Sequence, residues 1–136
     1  EIPGPTMYMS GPFIQHEPYP GTQEFRWGVK GPEDARAKVK QLAAKAGVNC
    51  IKLIDQDEMT EAEYMAVVDE AHKNKLKVVA HSHRPDEIRR GMKAGVDNFE
   101  HTGLAAAPEY PDDIMAMIKE RTAKMSLGPL FWTPTV

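Results

Sequence analysis

Lys75-Leu76-Lys77-Val78-Val79-Ala80-His81-Ser82-His83 decides how this chain is read. Lys77 to Ala80 is a short apolar run of the length expected for a buried strand, and it ends in two histidines. Arg84-Pro85-Asp86-Glu87 follows directly and opens a helix, since proline suits a first helical position and acidic residues suit the first turn. In parallel α/β proteins, side chains at the carboxyl ends of strands line the functional site. A His-x-His placed there is a candidate metal site, because neutral imidazole is the commonest metal ligand. Alternation along an extended chain puts His81 and His83 on one side.

Outward from that stretch, the same unit recurs. Pro32, Glu33 and Asp34 open a helix whose apolar positions are Ala35, Val39, Leu42, Ala43 and Ala46, with Gly47 as its expected cap. Val48 to Ile54 follows as a buried strand with Lys52 inside it. Thr60 and Glu63 have capping-box spacing ahead of a helix with Tyr64, Val67, Val68 and Ala71 on one face. After the His81 strand, a helix from Pro85 to Ala94 stops at Gly95, and Val96 to His101 is the next strand. A loop over Ala105 to Tyr110 leads to a helix opened by Pro111, Asp112 and Asp113, with Ile114, Met117, Ile118 and Met125 on one side. Leu127 to Val136 reads as a last strand. Lys45-Ala-Gly-Val-Asn49 and Lys93-Ala-Gly-Val-Asp97 repeat the same helix-to-strand punctuation. Strand and helix alternate throughout 32–136, so right-handed crossovers require a parallel sheet with helices outside it. Residues 1–31 read differently: one candidate strand, Thr6 to Ser10, then a long Pro- and Gly-rich loop carrying His16, Phe25 and Trp27.

Composition bounds the function. The chain has 136 residues, enough for one domain with a real core, and 41% hydrophobic with 27% charged residues is a globular balance. A net charge of −3 gives no electrostatic case for nucleic acid or an anionic membrane. No apolar run approaches the ~20 residues that span a bilayer. The first residues show neither the basic region nor the apolar core of a leader, and no initiator Met, as expected of a processed or excised chain. The single cysteine, Cys50, excludes an internal disulfide and leaves the compartment unknown.

Three successive strands end near Lys52, His81 and His101, at intervals of 29 and 20 residues, each about one βα unit. Side chains distant in sequence then converge at one end of one sheet. His81 and His101 suit zinc or a similar divalent ion. Glu100 and Asp97 are nearby carboxylates that could orient an imidazole, although strand alternation points Glu100 away from His101. A lysine inside Cys-Ile-Lys-Leu-Ile needs a partner or a neutral form. It can snorkel to the strand end, act as a Schiff-base amine, or be carboxylated to a metal-bridging carbamate.

The set Gly47-Val-Asn-Cys-Ile-Lys52-Leu, Ala71-His72 with Val78-Val-Ala-His81-Ser-His83, and Ala94-Gly-Val-Asp-Asn-Phe-Glu-His101 resembles the amidohydrolase superfamily. The similarity is greatest to its imidazolonepropionase-like and Xaa-Pro dipeptidase (prolidase)-like branch. Gly31-Pro-Glu-Asp-Ala-Arg36 and Trp132-Thr-Pro-Thr135 resemble that branch too. The resemblance implies a (β/α)8 TIM-type barrel, one or two divalent metals, usually zinc, and hydrolysis of amide or peptide bonds by a metal-activated water. It implies Lys52 as a carboxylated bridging ligand, His81 and His101 as metal histidines, and His83 in the substrate pocket. The family pattern also has a first-strand His-x-His and an eighth-strand aspartate, which this sequence does not show, and such a barrel takes ~250 residues. The chain is therefore expected to be a central piece, roughly strands three to seven, with residues 1–31 as a strand and long loop and 32–136 as βα units. As a piece it is expected to lack a full active site and to self-associate through open sheet edges. A dipeptide-like small molecule is the expected substrate of the whole enzyme. The alternatives are a non-catalytic α/β module that keeps the geometry, or a Schiff-base barrel fragment using Lys52.

Overall fold

The computed structural model describes residues 3–55, 58–102, 109–124 and 128–135. The elements run β1 (Phe13–Gln15), β2 (Arg26–Gly28), α1 (Gly31–Ala43), β3 (Cys50–Leu53), α2 (Glu61–Lys73), β4 (Lys77–His81), α3 (Pro85–Ala94), β5 (Asn98–Glu100), α4 (Asp112–Lys124) and β6 (Phe131–Thr133). The strands form one parallel sheet in the order β2-β1-β3-β4-β5-β6. This is the expected α/β architecture: an open parallel sheet with four helices, a partial TIM-type barrel. No helix among the described residues is long and apolar enough to cross a membrane.

Alternation sorts the sheet into two faces. Ile14, Ile51, Leu53, Val78, Ala80 and Phe99 are fully buried, packed with Val39, Leu42, Val67 and Ile88 from the helices. Their neighbours along the strands, Cys50, Lys52, Val79, His81, Asn98 and Glu100, are only half-buried on the other face. The helix side is thus a finished core, whereas the face that lines the interior of a closed barrel lies open.

Helix ends follow the sequence signals closely. At α2 the Thr60 hydroxyl accepts from the Glu63 N–H at 3.2 Å, and the Glu63 carboxylate accepts from the Thr60 N–H at 2.8 Å. Glu63 also accepts from the Gly31 N–H at 2.7 Å, so one carboxylate ties the starts of α1 and α2 together. Gly95 ends α3 in the left-handed conformation, φ +92, which costs glycine nothing. Gly91 in α3 lies so close to the Phe99 ring and the Tyr64 hydroxyl that no β-carbon fits there. That approach seats α3 on β5.

Three expectations need correction. Thr6 to Ser10 is not a strand; only Met9 bridges, to Val48, and the strand is Phe13–Gln15 beyond it. The reason is burial: Met7 and Tyr8 are 70% and 79% exposed, while Ile14 and Gln15 are fully enclosed. Second, the long loop contains β2, whose three residues are too few to show a period. Third, Gly47 is not the cap of α1. Ala44 is, and Gly47 makes the following turn at φ +87. The Ala105 to Tyr110 loop falls mostly on residues outside those described, as do Met125, Leu127 and Val136.

Candidate functional site

The three histidines meet. His81 ends β4, His83 lies two residues further on, and His101 lies just past β5. Ring centroids are 4.2 Å apart for His81–His83, which pack edge-on, 4.7 Å for His81–His101 and 5.5 Å for His83–His101. His83 and His101 are each placed by their own support. The His83 backbone N–H donates to the buried Glu87 carboxylate at 2.7 Å, and that same carboxylate accepts from the Arg84 N–H at 2.8 Å. His83 Nδ1 lies 3.2 Å from the His101 carbonyl. His101 is held by its N–H on the Thr133 carbonyl at 2.9 Å and by Nδ1 at 2.8 Å from the Thr135 hydroxyl.

Lys52 reaches into the same region from β3. Its ammonium is ion-paired with Glu100, whose Oε2 lies 4.0 Å from His101 Nε2. The pair answers the question raised by a lysine in an apolar strand: Lys52 is 11% exposed, and Glu100 supplies the missing countercharge. Burial, and then the neighbouring His83, His101 and Lys52, hold the His81 pKa below its usual value. That favours the neutral imidazole, the form that binds metal. Burial and then Glu100 push the Cys50 thiol up, so it stays protonated and is not a poised nucleophile. Lys52, His81, Glu100 and His101 share a trough of about 540 Å³ on the open face, also lined by Cys50, Phe13 and Tyr8.

Glu100 is the residue that sequence reasoning discounted. With His101 facing inward, plain alternation turns Glu100 away. His101, however, has φ +60, and this left-handed step breaks the alternation at the strand end. The usable signal was Phe99: a buried phenylalanine puts Asn98 and Glu100 on the opposite face, and the register pairs Glu100 with His81. Asp97 is displaced in the other sense. It orients an imidazole, but that of His72, at 2.8 Å, and it also accepts from Lys77 Nζ at 2.8 Å and the Val78 N–H at 2.9 Å, all at the amino end of the sheet. His16 is elsewhere again, 3.3 Å from Glu63.

As metal donors, the histidines fit in kind: clustered imidazoles, with His81 favoured neutral. Among the described residues no group of three or more His, Cys, Asp or Glu side chains is spaced to hold an ion.

No family model and no curated protein sequence matches the chain. Solved structures do. A Bifidobacterium longum protein assigned as a prolidase is 30% identical over 90% of this chain, with a TM-score of 0.68. A prolidase complexed with N-methylphosphonate-L-proline is 22% identical over 98% of the chain, with a TM-score of 0.75. A Xaa-Pro dipeptidase with methionine bound in its active site is likewise 22% identical over 98%, with a TM-score of 0.71. This chain spans 30% of the first of these proteins and 36% of each of the other two. The resemblance read from the motifs therefore holds in three dimensions: over nearly its whole length the chain is similar to about a third of the amidohydrolase-type barrels of prolidases and Xaa-Pro dipeptidases.

Proposed function

We propose that this chain is part of a metal-dependent amidohydrolase that cleaves the amide bond of small, dipeptide-like substrates. The observation that carries the reading is the meeting of His81, His83, His101 and the Lys52–Glu100 pair at the carboxyl end of parallel strands. The similarity to the prolidase-type protein from Bifidobacterium longum supports it. His81 and His101 would hold the metal, zinc or a similar divalent ion, with Lys52 as the lysine whose carbamate would bridge two ions. Such an ion polarises a scissile carbonyl and lowers the pKa of a bound water towards ~7. Around it, the Thr133 and Thr135 contacts fix His101, and carbamate formation would take away the Lys52 ammonium that Glu100 pairs with, leaving that carboxylate free beside the trough. His83, exposed beside His81 and His101, would hydrogen-bond a substrate.

Elemental analysis after dialysis against zinc tests this, comparing the chain with His81→Ala and His101→Ala. Retained metal is expected in the parent chain, with a loss of ten- to a hundredfold in affinity on removing either ring, roughly 1.4–3 kcal/mol. A second reading has its own observation: the Lys52–Glu100 pair is complete without any ion, as it would be in a non-catalytic module that keeps the scaffold. Equal, negligible metal in all three proteins would favour that module.

The open sheet carries a further expectation. Its two edges are β2 and β6, and Phe25 beside one and Phe131 on the other are about half exposed, at 51% and 54%. Edges of this kind pair with other chains, so we propose self-association of the 136-residue chain. Sedimentation velocity showing a monomer at every concentration defeats it.

A further inference from the structure

Thr133-Pro134-Thr135, at the end of β6, closes on His101 from two directions. The Thr133 carbonyl accepts the His101 backbone N–H at 2.9 Å, and the Thr135 hydroxyl lies 2.8 Å from His101 Nδ1. Pro134 sits between the two contacts. Proline fixes its own φ near about −65° and keeps the preceding residue extended. Thr133 is accordingly the last residue of β6, and its hydroxyl donates to Asn98 Oδ1 at 3.2 Å, which ties the stretch to β5. Two rigidly spaced oxygens thus grip the backbone and the ring of one histidine.

His101 has little else to direct it. It lies just past β5 at φ +60, where strand alternation no longer aims the side chain, and that side chain is 40% exposed. Its two nitrogens face different surroundings. Nδ1 faces Thr135. Nε2 lies 4.0 Å from Glu100 Oε2, and His101 and Glu100 both line the trough. A neutral imidazole carries its proton on one nitrogen and leaves the other bare. On Nε2 the proton would find Glu100 beyond hydrogen-bond reach and already paired with Lys52. On Nδ1 it meets an oxygen at 2.8 Å. The bond made by one ring nitrogen decides what the other can offer.

We propose that Thr135 is a positioning residue: its hydroxyl accepts from His101 Nδ1–H and so leaves a bare Nε2 on the trough side as the atom that takes a divalent cation. The grip reaches one ring further, because the His101 carbonyl accepts from His83 Nδ1–H at 3.2 Å. The inference rests on the hydrolase reading for the cation, whereas the place of the proton is a property of the metal-free chain.

The test uses the full 136-residue chain labelled with 15N-histidine. Long-range 1H–15N NMR at about pH 8.5, well above the ordinary histidine value of ~6.5, shows which nitrogen of each ring is bare. His101→Asn assigns the His101 signals by their loss. The parent is expected to carry the His101 proton on Nδ1. Thr135→Val keeps the shape without the hydroxyl, and should move that proton to Nε2 or mix the two forms. Thr135→Ser should restore the parent pattern. Calorimetric titration with zinc is expected to show binding about tenfold weaker in Thr135→Val and within about threefold of the parent in Thr135→Ser. Thr135 is exposed, so circular dichroism should give one unfolding midpoint for all three chains. A parent with the proton on Nε2, or a Thr135→Val chain that keeps the parent pattern, overturns the proposal. So does a changed pattern with unchanged zinc affinity. If the parent takes no zinc while Thr135 still sets the proton, the positioning of the ring stands and the metal reading falls.

Discussion

The two ends of this one sheet are built to opposite rules. At the amino end, Asp97 is buried at 1% exposure and fully engaged: by His72 from α2, Lys77 at the start of β4 and the Val78 N–H. At the carboxyl end three imidazoles crowd together, the His81 charge is disfavoured, an arginine donor lacks an acceptor, and the backbone is left-handed at Asp55 and His101. Lys75, in the turn entering β4, is the third described non-glycine residue with positive φ. The contrast teaches where stability and function divide. In barrels of this kind the amino face holds the fold and the carboxyl face is free to carry groups that do not satisfy one another.

Substitution at each end can break or sharpen that contrast. The largest effect is expected at Asp97. Asp97→Asn should cost about 2–4 kcal/mol in denaturant unfolding, since it leaves His72, Lys77 and a buried N–H around a neutral amide. Burial raises the Asp97 pKa, but His72, Lys77 and the Val78 N–H together bring it below its ordinary value. With the folded pKa depressed, the stabilisation is present in full above the unfolded value, ~3.9, and is lost as pH falls through the folded one. The parent should therefore lose stability on acidification below about pH 4 more steeply than Asp97→Asn. Identical acid limbs would show that Asp97 is not the anchor of its end.

Gly91→Ala tests what joins the two ends. A β-carbon there meets the Phe99 ring, and prying α3 from β5 should cost about 1–3 kcal/mol in thermal or denaturant unfolding. A neutral result would mean that α3 can shift freely, and the placement of β5 would then need another cause. The smallest effect is expected at the carboxyl rim. His101→Asn removes a ring contact but puts in its place a residue that tolerates φ +60, so stability should stay within about 0.5 kcal/mol of the parent. A loss comparable to that at Asp97 would erase the distinction between the two ends.

Much of this was legible in the residues. A capping box placed the start of α2, and a first-turn proline and a glycine stop placed both ends of α3, because these signals are local and act within a single turn. Lys52, His81 and His101 were legible as a converging set because a βα repeat returns the chain to the same end of a sheet. The short strands β1 and β2 were not, since three residues carry no period, and the exposed Met7 and Tyr8 imitated a strand.

By itself the sequence determined the βα order, the parallel sheet and which strand ends carry histidine. Only the tertiary structure decided the pairings across strands. It gave Glu100 to Lys52 and Asp97 to His72, and it buried Arg26 Nε without a hydrogen-bond partner. The physical reason is that propensity and periodicity act within a segment, whereas a buried charge takes its partner from whatever register and a single left-handed residue bring within hydrogen-bond reach.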